Sequence, residues 1–295
     1  MKTITSFLIA LPLFLFGQNQ EKIDSLLNLY ATTTVDSVKL KTSNRITSYY
    51  LYRDIVKAKS YGQEQLKLAN QLGNIDGKIN ANNHLSTIYR SLSKYDSAQY
   101  HTEHSINLAK LSKNLSQQSL AVHSLVNLEI SRGNYEEAEK LNNENLLFNQ
   151  KRKDTFCIAL SHDTAYTIYL NSGRSLSALN SVLKSLELFE ELNEEIRVAD
   201  AFHKLGILEN TLENFDTSIQ YSKKAIKVYE EFEDVEYQAS ALNILGISYK
   251  FKKDFVNAKK YFNQSIKLSE EHGYKSIVLV SLPHLIDVHF ETKDN

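Results

Sequence analysis

The stretch Leu242–Ile266, LNILGISYKFKKDFVNAKKYFNQSI, decides how the rest of the chain reads. Leu245-Gly246 is followed by Tyr249, and after a polar break at Lys252–Asp254 come Ala258 and Phe262. Each residue type has a physical task. Gly lets two helices approach closely, Tyr fills the seam between them, and Ala followed by Phe packs a second helix back against the first. The pattern recurs with a step of 40. Counting back from Ala258 gives Ser218, Ala178, Ala138, Ala98 and Ala58, six small residues in register. Eight positions after each stands an aliphatic residue: Leu66, Ile106, Leu146, Leu186, Ile226, Ile266. Nine positions before each stands Tyr49, Tyr89, Glu129, Tyr169, Glu209 or Tyr249. Columns that persist over six copies without a gap mark a repeat architecture, in which each unit packs on its neighbours.

Leu-Gly-x2-Tyr…Ala-x3-Phe resembles the tetratricopeptide repeat, a pair of antiparallel helices. The resemblance covers residues 39–278, with a 40-residue repeat in place of the usual 34. In particular it looks like the exported sensor regions found ahead of a membrane span and a histidine kinase or helix-turn-helix regulator in bacteria. The departures are local: Leu242 where Trp is common, Glu270 where Pro is common, Glu129 and Glu209 for the seam Tyr, and Ala165-Tyr166 for Leu-Gly. The implied fold is all-α, an α-α superhelix of about six helix-turn-helix repeats plus terminal helices. The six extra residues per repeat lengthen the helices by roughly 9 Å if helical.

Composition agrees with an ordinary helical protein. Of 295 residues 23% are charged and 42% hydrophobic, and only Pro12 and Pro283 are proline. The formal net charge is −1, or −2 once Lys2 is taken away with a leader (−1 − 1 = −2), so no footprint for nucleic acid follows. Cys157, the single cysteine, excludes an internal disulfide and reads as a small buried hydrophobe.

In order along the chain, residues 1–17 read as a signal peptide: Lys2, then an apolar run from Ile4 to Phe16, with cleavage expected after Gly17. Export to the periplasm or the medium follows. Membrane attachment is expected only if the leader is uncleaved or the chain is a receptor fragment. Residues 18–38 are expected to cap the array, with Ile23, Leu26, Leu27 and Tyr30 on one stripe. Turns are placed at Ser93-Lys94, Gly133-Asn134, Ser172-Gly173, Glu213-Asn214 and Lys253-Asp254, and N-caps at Asp154 and Asp234. Residues 279–295 form either a C-terminal cap or a truncated seventh repeat. There Val280–Phe290 matches a first helix whose start Pro283 should kink or delay.

The resemblance implies that first helices line a concave face and hold a protein or peptide. The column three before the Leu-Gly glycine reads Ser43, Asn83, His123, Asp163, His203 and Asn243. Four later it reads Thr47, Thr87, Asn127, Thr167, Ile207 and Ile247. Amide and imidazole groups both donate and accept, which suits an extended peptide backbone. The expected ligand-binding residues are therefore Asn83, Thr87, Arg90, His123, Asn127, Asp163, Thr167, His203, Asn243 and Lys250. The competing reading is a polar column that faces water. Lys204 is the only Lys in a column suited to gripping a terminal carboxylate, so that mode is not expected.

Searches for chemistry yield little. His101, Glu103 and His104 have ligand-like spacing, but His101 falls in a packing column. His123, Asp163 and His203 belong to successive first helices with axes about 10 Å apart, too far for ligands needed at about 2 Å from a metal. Phosphate loops, nucleophile elbows and His-Glu-x-x-His are absent. No cofactor, no metal and no catalytic residue is expected. The function expected is a non-enzymatic binding scaffold, with the sensor arm of a receptor as the alternative and an enzyme of unfamiliar type as the third.

Overall fold

The computed structural model describes residues 16–51 and 53–292, with side chains from residue 21. The described residues form fourteen α-helices and no strand. The expected leader lies outside them except for Phe16 and Gly17, which begin α1 (Phe16–Thr32), and residues 293–295 also lie outside. The chain divides into two compact units, residues 1–134 and 135–295. The boundary falls within the third 40-residue repeat, where the sequence period runs on without a gap.

The first unit contains α1, α2 (Asp36–Tyr50), α3 (Ile55–Gln71), α4 (Ile75–Ser91), α5 (Tyr95–Ser112) and α6 (Leu115–Arg132). Ile23 and Leu26 of α1 are buried against Ile46 of α2, with Tyr49, Tyr50 and Tyr61 around them. The stripe read from Ile23 to Tyr30 is thus the inner face of a longer helix. The second unit contains α7 (Tyr135–Arg152), α8 (Thr155–Asn171), α9 (Ser175–Glu191), α10 (Glu195–Thr211), α11 (Phe215–Glu231), α12 (Val235–Phe251), α13 (Phe255–His272) and α14 (Lys275–Glu291). Even-numbered helices from α2 to α12 are the first helices of the repeats, and odd-numbered ones from α3 to α13 the second.

All six small residues of the period, Ala58, Ala98, Ala138, Ala178, Ser218 and Ala258, have no exposed surface. Ser218, the one polar member, donates from Oγ to the Gly206 carbonyl at 2.7 Å, so its hydroxyl is not left unsatisfied in the core. A second pair of columns runs along the repeats. The first-helix place held by Gly246 and the place sixteen residues on carry Gly246/Phe262, Gly206/Ser222, Tyr166/Val182, Ser86/Thr102 and Ile46/Gly62. A Cβ on Gly246 would lie 2.7 Å from the Phe262 ring, and one on Gly206 would lie 2.8 Å from Ser222 Oγ. Ser86 and Thr102 share a hydrogen bond of 2.5 Å, and Tyr166 is buried in one cluster with Val182. At Gly246 and Gly206 the facing side chain lies directly on the glycine, whereas Leu85, Ile88 and Thr47 surround Gly62. Tyr166, in the place of glycine, packs in one cluster with Val182, and its hydroxyl donates to the Lys204 carbonyl at 3.1 Å.

The backbone carries a shorter period than the side chains. From residue 73 to residue 273 a residue with positive φ stands at every twentieth position: Gly73, Ser93, Lys113, Gly133, Lys153, Gly173, Asn193, Glu213, Glu233, Lys253 and Gly273. Most of these end a helix in the same way. At Lys253 the N–H donates to the Lys250 carbonyl, and the next N–H, from Asp254, reaches back to Tyr249. This is the Schellman arrangement, which satisfies carbonyls that a helix end orphans. Seven of the eleven residues are not glycine. The residue after each then precedes the next helix; Asn74, Asn114, Asp154 and Asp254 accept a side-chain cap bond from the N–H three residues on. Asp234 stands in the corresponding place without that cap bond.

α14 begins at Lys275, ahead of the expected start, and continues through Pro283. The missing N–H there would serve the carbonyl of Leu279, and Leu279 is 73% exposed, so water can take its place.

Candidate ligand-binding face

In the first unit the expected column is drawn into the seams. Ser43 is fully buried and bonds the Leu40 carbonyl; Asn83 accepts from Ser105 Oγ of α5 at 2.6 Å. Thr87 bonds back to the Asn83 carbonyl, and Arg90 reaches across to Ser131 of α6 at 3.3 Å. His123 and Asn127 lie half-buried one turn apart, with the Asn127 amide donating to the His123 carbonyl at 3.0 Å.

The neighbouring column carries the cross-links instead. His84 sits between α2 and α3, with Nε2 3.2 Å from Ser48 Oγ and Nδ1 3.1 Å from Gln65 Oε1, while Gln65 donates to Asn44 at 2.9 Å. Burial depresses the His84 pKa to about 4, so the ring is neutral near pH 7. A cavity of about 330 Å³ opens beside this network between α2 and α4, lined by Lys41, Asn44, Asp76 and Asn80 among others.

In the second unit His203 and Asn243 are 8% and 5% exposed. His203 meets Tyr229 and Tyr237 edge-on, two rings that also contact each other, and its Nε2 is 3.2 Å from Ser240 Oγ. Its Nδ1 and the Asn243 Oδ1 find no hydrogen-bond partner among the described residues. Burial, aided by the Lys204 charge, takes the His203 pKa to about 4. Lys204 pairs with Asp163 across successive first helices. Lys250 pairs with Asp287 of α14 at 2.7 Å and holds that carboxyl below its usual range. Asp200 is pushed upward by burial, against the pull of Arg197 and the Tyr229 hydroxyl, which donates to it at 2.9 Å. Between these groups Thr167, Ile207 and Ile247 form a half-buried strip on α8, α10 and α12.

Of the expected residues, Asn83, Thr87, Arg90, His123, Asn127, Asp163, Thr167 and Lys250 are half-buried and keep some accessible surface, whereas His203 and Asn243 are packed inside. Lys204, Asp200, Asn44, Asn80 and His84 were not among them. Their signal is the column one residue on, or the one three before, since a helix turns about 100° per residue. A further groove, of about 590 Å³, runs between α11 and α13 over Leu242 and Leu245, edged by Lys223, Lys227 and Glu230.

His101 stacks on Tyr89 with ring centroids 5.3 Å apart and meets Asn82 at 2.9 Å; His104 is exposed on the same helix. Cys157 is buried in α8. Among the described residues no group of three His, Cys, Asp or Glu is placed to hold a metal ion, and no helix is long and apolar enough to cross a membrane.

The model of the tetratricopeptide repeat family matches residues 197–271, which hold α10–α13 with Gly206, Gly246 and Phe262. Over residues 197–271 the repeats are tetratricopeptide repeats. No curated protein matches the sequence. Among solved structures, a Rap protein complexed with competence and sporulation factor is similar over 92% of this chain and 80% of its own, with TM-score 0.63 and 11% identity. NprR in complex with its cognate peptide NprX is similar over 94% and 82%, with TM-score 0.63 and 16% identity. A signal transduction ATPase with numerous domains from Pyrococcus horikoshii, with a tetratricopeptide repeat sensor, has TM-score 0.61 and 16% identity. That similarity covers 94% of this chain and 51% of the ATPase chain. These likenesses establish the fold.

Proposed function

We propose that this protein is a non-enzymatic scaffold that binds a protein or peptide along the face of its first helices, concave in a superhelix of this kind. The observation that carries the reading is the strip Thr167, Ile207 and Ile247 on three consecutive first helices. It is edged by Asp163 with Lys204 and by Lys250 with Asp287. An apolar floor between charged pairs suits an extended segment with alternating apolar and polar side chains. The complexes named among the similar folds, NprR with its cognate peptide and a Rap protein with competence and sporulation factor, support the same reading. We further propose that the chain is exported, on the strength of Lys2 and the apolar run Ile4–Phe16. Immunoblotting of cell fractions tests this; a protein confined to the cytoplasmic fraction refutes it.

The binding test is a displayed library of random peptides selected on the whole chain. Enriched peptides should bind Ile207→Asp and Ile247→Asp variants at least tenfold more weakly, measured well below each variant's own melting temperature because Ile247 also packs against the cluster of Phe262, Leu285 and Val288. Equal binding to both variants would remove the strip from the reading. A second reading is the sensor arm of a larger receptor, favoured by the sensor-bearing ATPase of about twice this length. Reading the gene past codon 295 separates the two: a membrane span or an output module supports the receptor.

A further inference from the structure

The groove between α11 and α13 lies at a place that the preceding repeat fills with a side chain of its own. There Phe202 of α10 packs on the cluster that holds Leu186 and Leu205, and its ring stacks on Tyr221 with centroids 5.9 Å apart. Lys224 Nζ stands 4.9 Å from the centre of that ring. Forty residues on, the places of Leu186, Phe202, Leu205 and Tyr221 are held by Ile226, Leu242, Leu245 and Tyr261. Leucine replaces phenylalanine, and Tyr261 stacks on Tyr249 at 5.4 Å instead. Leu242 and Leu245 are 7% and 1% exposed, so packing of the array fixes the floor, and about 590 Å³ stands open above it. That volume suits a small-molecule site.

The rim changes sign as well. Leu183 and Glu187 of the preceding repeat become Lys223 and Lys227, and Lys267 of α13 joins them. Lys227 and Lys267 lie 3.7 and 3.9 Å from Glu231 and Glu271 of their own helices, exposed pairs that hold little energy in water. Lys223 makes no ion pair among the described residues and lies 5.9 Å from the Tyr249 ring. Glu230 stands one face-repeat beyond Lys223 on α11, about 10 Å along the axis. Glu271 lines the groove at the same end as Glu230, since α11 and α13 are both second helices and run the same way.

We infer that this groove binds a small planar aromatic carboxylate, with its ring over Leu242 and Leu245 and its carboxylate toward Lys223. The preceding repeat shows that a ring fits this place in the fold. The charges set its direction, because an anion at the far end would meet Glu230 and Glu271. The site uses a different side of α12 from Ile247 and does not depend on the first-helix strip.

The test titrates the whole chain into β-naphthoate and follows the probe's own fluorescence anisotropy. Binding should be saturable, and the neutral β-naphthamide should bind at least fivefold more weakly. Lys223→Glu, a change at an exposed residue, should weaken naphthoate at least tenfold and leave naphthamide within twofold. Leu242→Phe should abolish binding of both probes by restoring the ring of the preceding repeat, with helicity checked by circular dichroism; if that chain misfolds, Lys223→Glu still decides. Ile207→Asp should leave naphthoate binding unchanged. Absent binding at millimolar probe, equal affinity for the two probes, or naphthoate binding that Lys223→Glu leaves intact overturns the proposal. So does loss of naphthoate binding with Ile207→Asp, because the probe then sits on the first-helix strip.

Discussion

Replacing Gly246 by alanine tests the close approach of Phe262 directly. The new Cβ would stand 2.7 Å from Cδ1 and Cε1 of Phe262 and 3.0 Å from Cγ. Carbon atoms in contact prefer about 3.5–4.0 Å, so the ring has to retreat by roughly 1 Å. It has nowhere to go. Phe262 has no exposed surface, is held between Ala258, Leu285 and Val288, and stacks on His284 at 5.8 Å. Overpacking of this kind costs about 1–3 kcal/mol, and alanine's advantage over glycine inside a helix returns about 1 kcal/mol. The net expectation is a loss of about 1 kcal/mol, or up to ~2 kcal/mol where the ring is held most rigidly. Against a Phe262→Ala background no atom beyond Cβ remains at the contact, so the same substitution should stabilise by about 0.5–1 kcal/mol. Urea denaturation followed by circular dichroism at 222 nm measures all four proteins, and the sign reversal between backgrounds is the signature. A midpoint raised by Gly246→Ala in the parent chain would refute the reasoning, since it would mean that the ring does not sit on the glycine.

Ala178→Asp puts a charge into a fully buried cluster with Tyr166, Val182 and Leu205; several kcal/mol should be lost, and an unchanged thermal melt would show that Ala178 faces elsewhere. Lys253→Gly relieves a side chain held at φ 61° and should stabilise by about 0.5–1 kcal/mol, while the same change at Lys259, inside α13, should destabilise; equal effects would argue against the left-handed turn. Because the folded pKa of His203 is near 4 and the unfolded one near 6.5, the unfolded chain binds more protons between those values. Stability is therefore full above about pH 6.5 and falls as the pH drops toward 4, with His203 contributing on the order of 3 kcal/mol. His203→Gln should lessen the fall in melting temperature between pH 6.5 and 4 without abolishing it, because burial also takes His84 and His101 to about 4; an unaltered slope would show that the His203 ring is not buried neutral.

The repeat register was legible because small residues in a tight seam admit few substitutes: the 40-step from Ala58 to Ala258 names six positions that are all fully buried. Two further signals were equally available. Ala81, Ala121, Ser161, Ala201, Ala241 and Ser281 form another buried small column. The two repeats with Glu in place of the seam Tyr each have Asn five residues later, and Asn134 and Asn214 donate to Glu129 and Glu209 at 2.7 and 2.8 Å. The binding columns were less legible. Sequence spacing gives the helical face only to within about one residue, and one residue separates His203, packed against two tyrosines, from Lys204, paired with Asp163.

By itself, then, the sequence determined the helix pairs, their register and their seams, since packing two helices at close range constrains residue size at fixed intervals. Tertiary structure decided what the period does not encode. Left-handed turns recur at every twentieth residue even where lysine or glutamate occupies them, because two helices of one length must reverse in the same space. Polar residues at a single column are divided between seam and surface by the rotation of each helix against its neighbours.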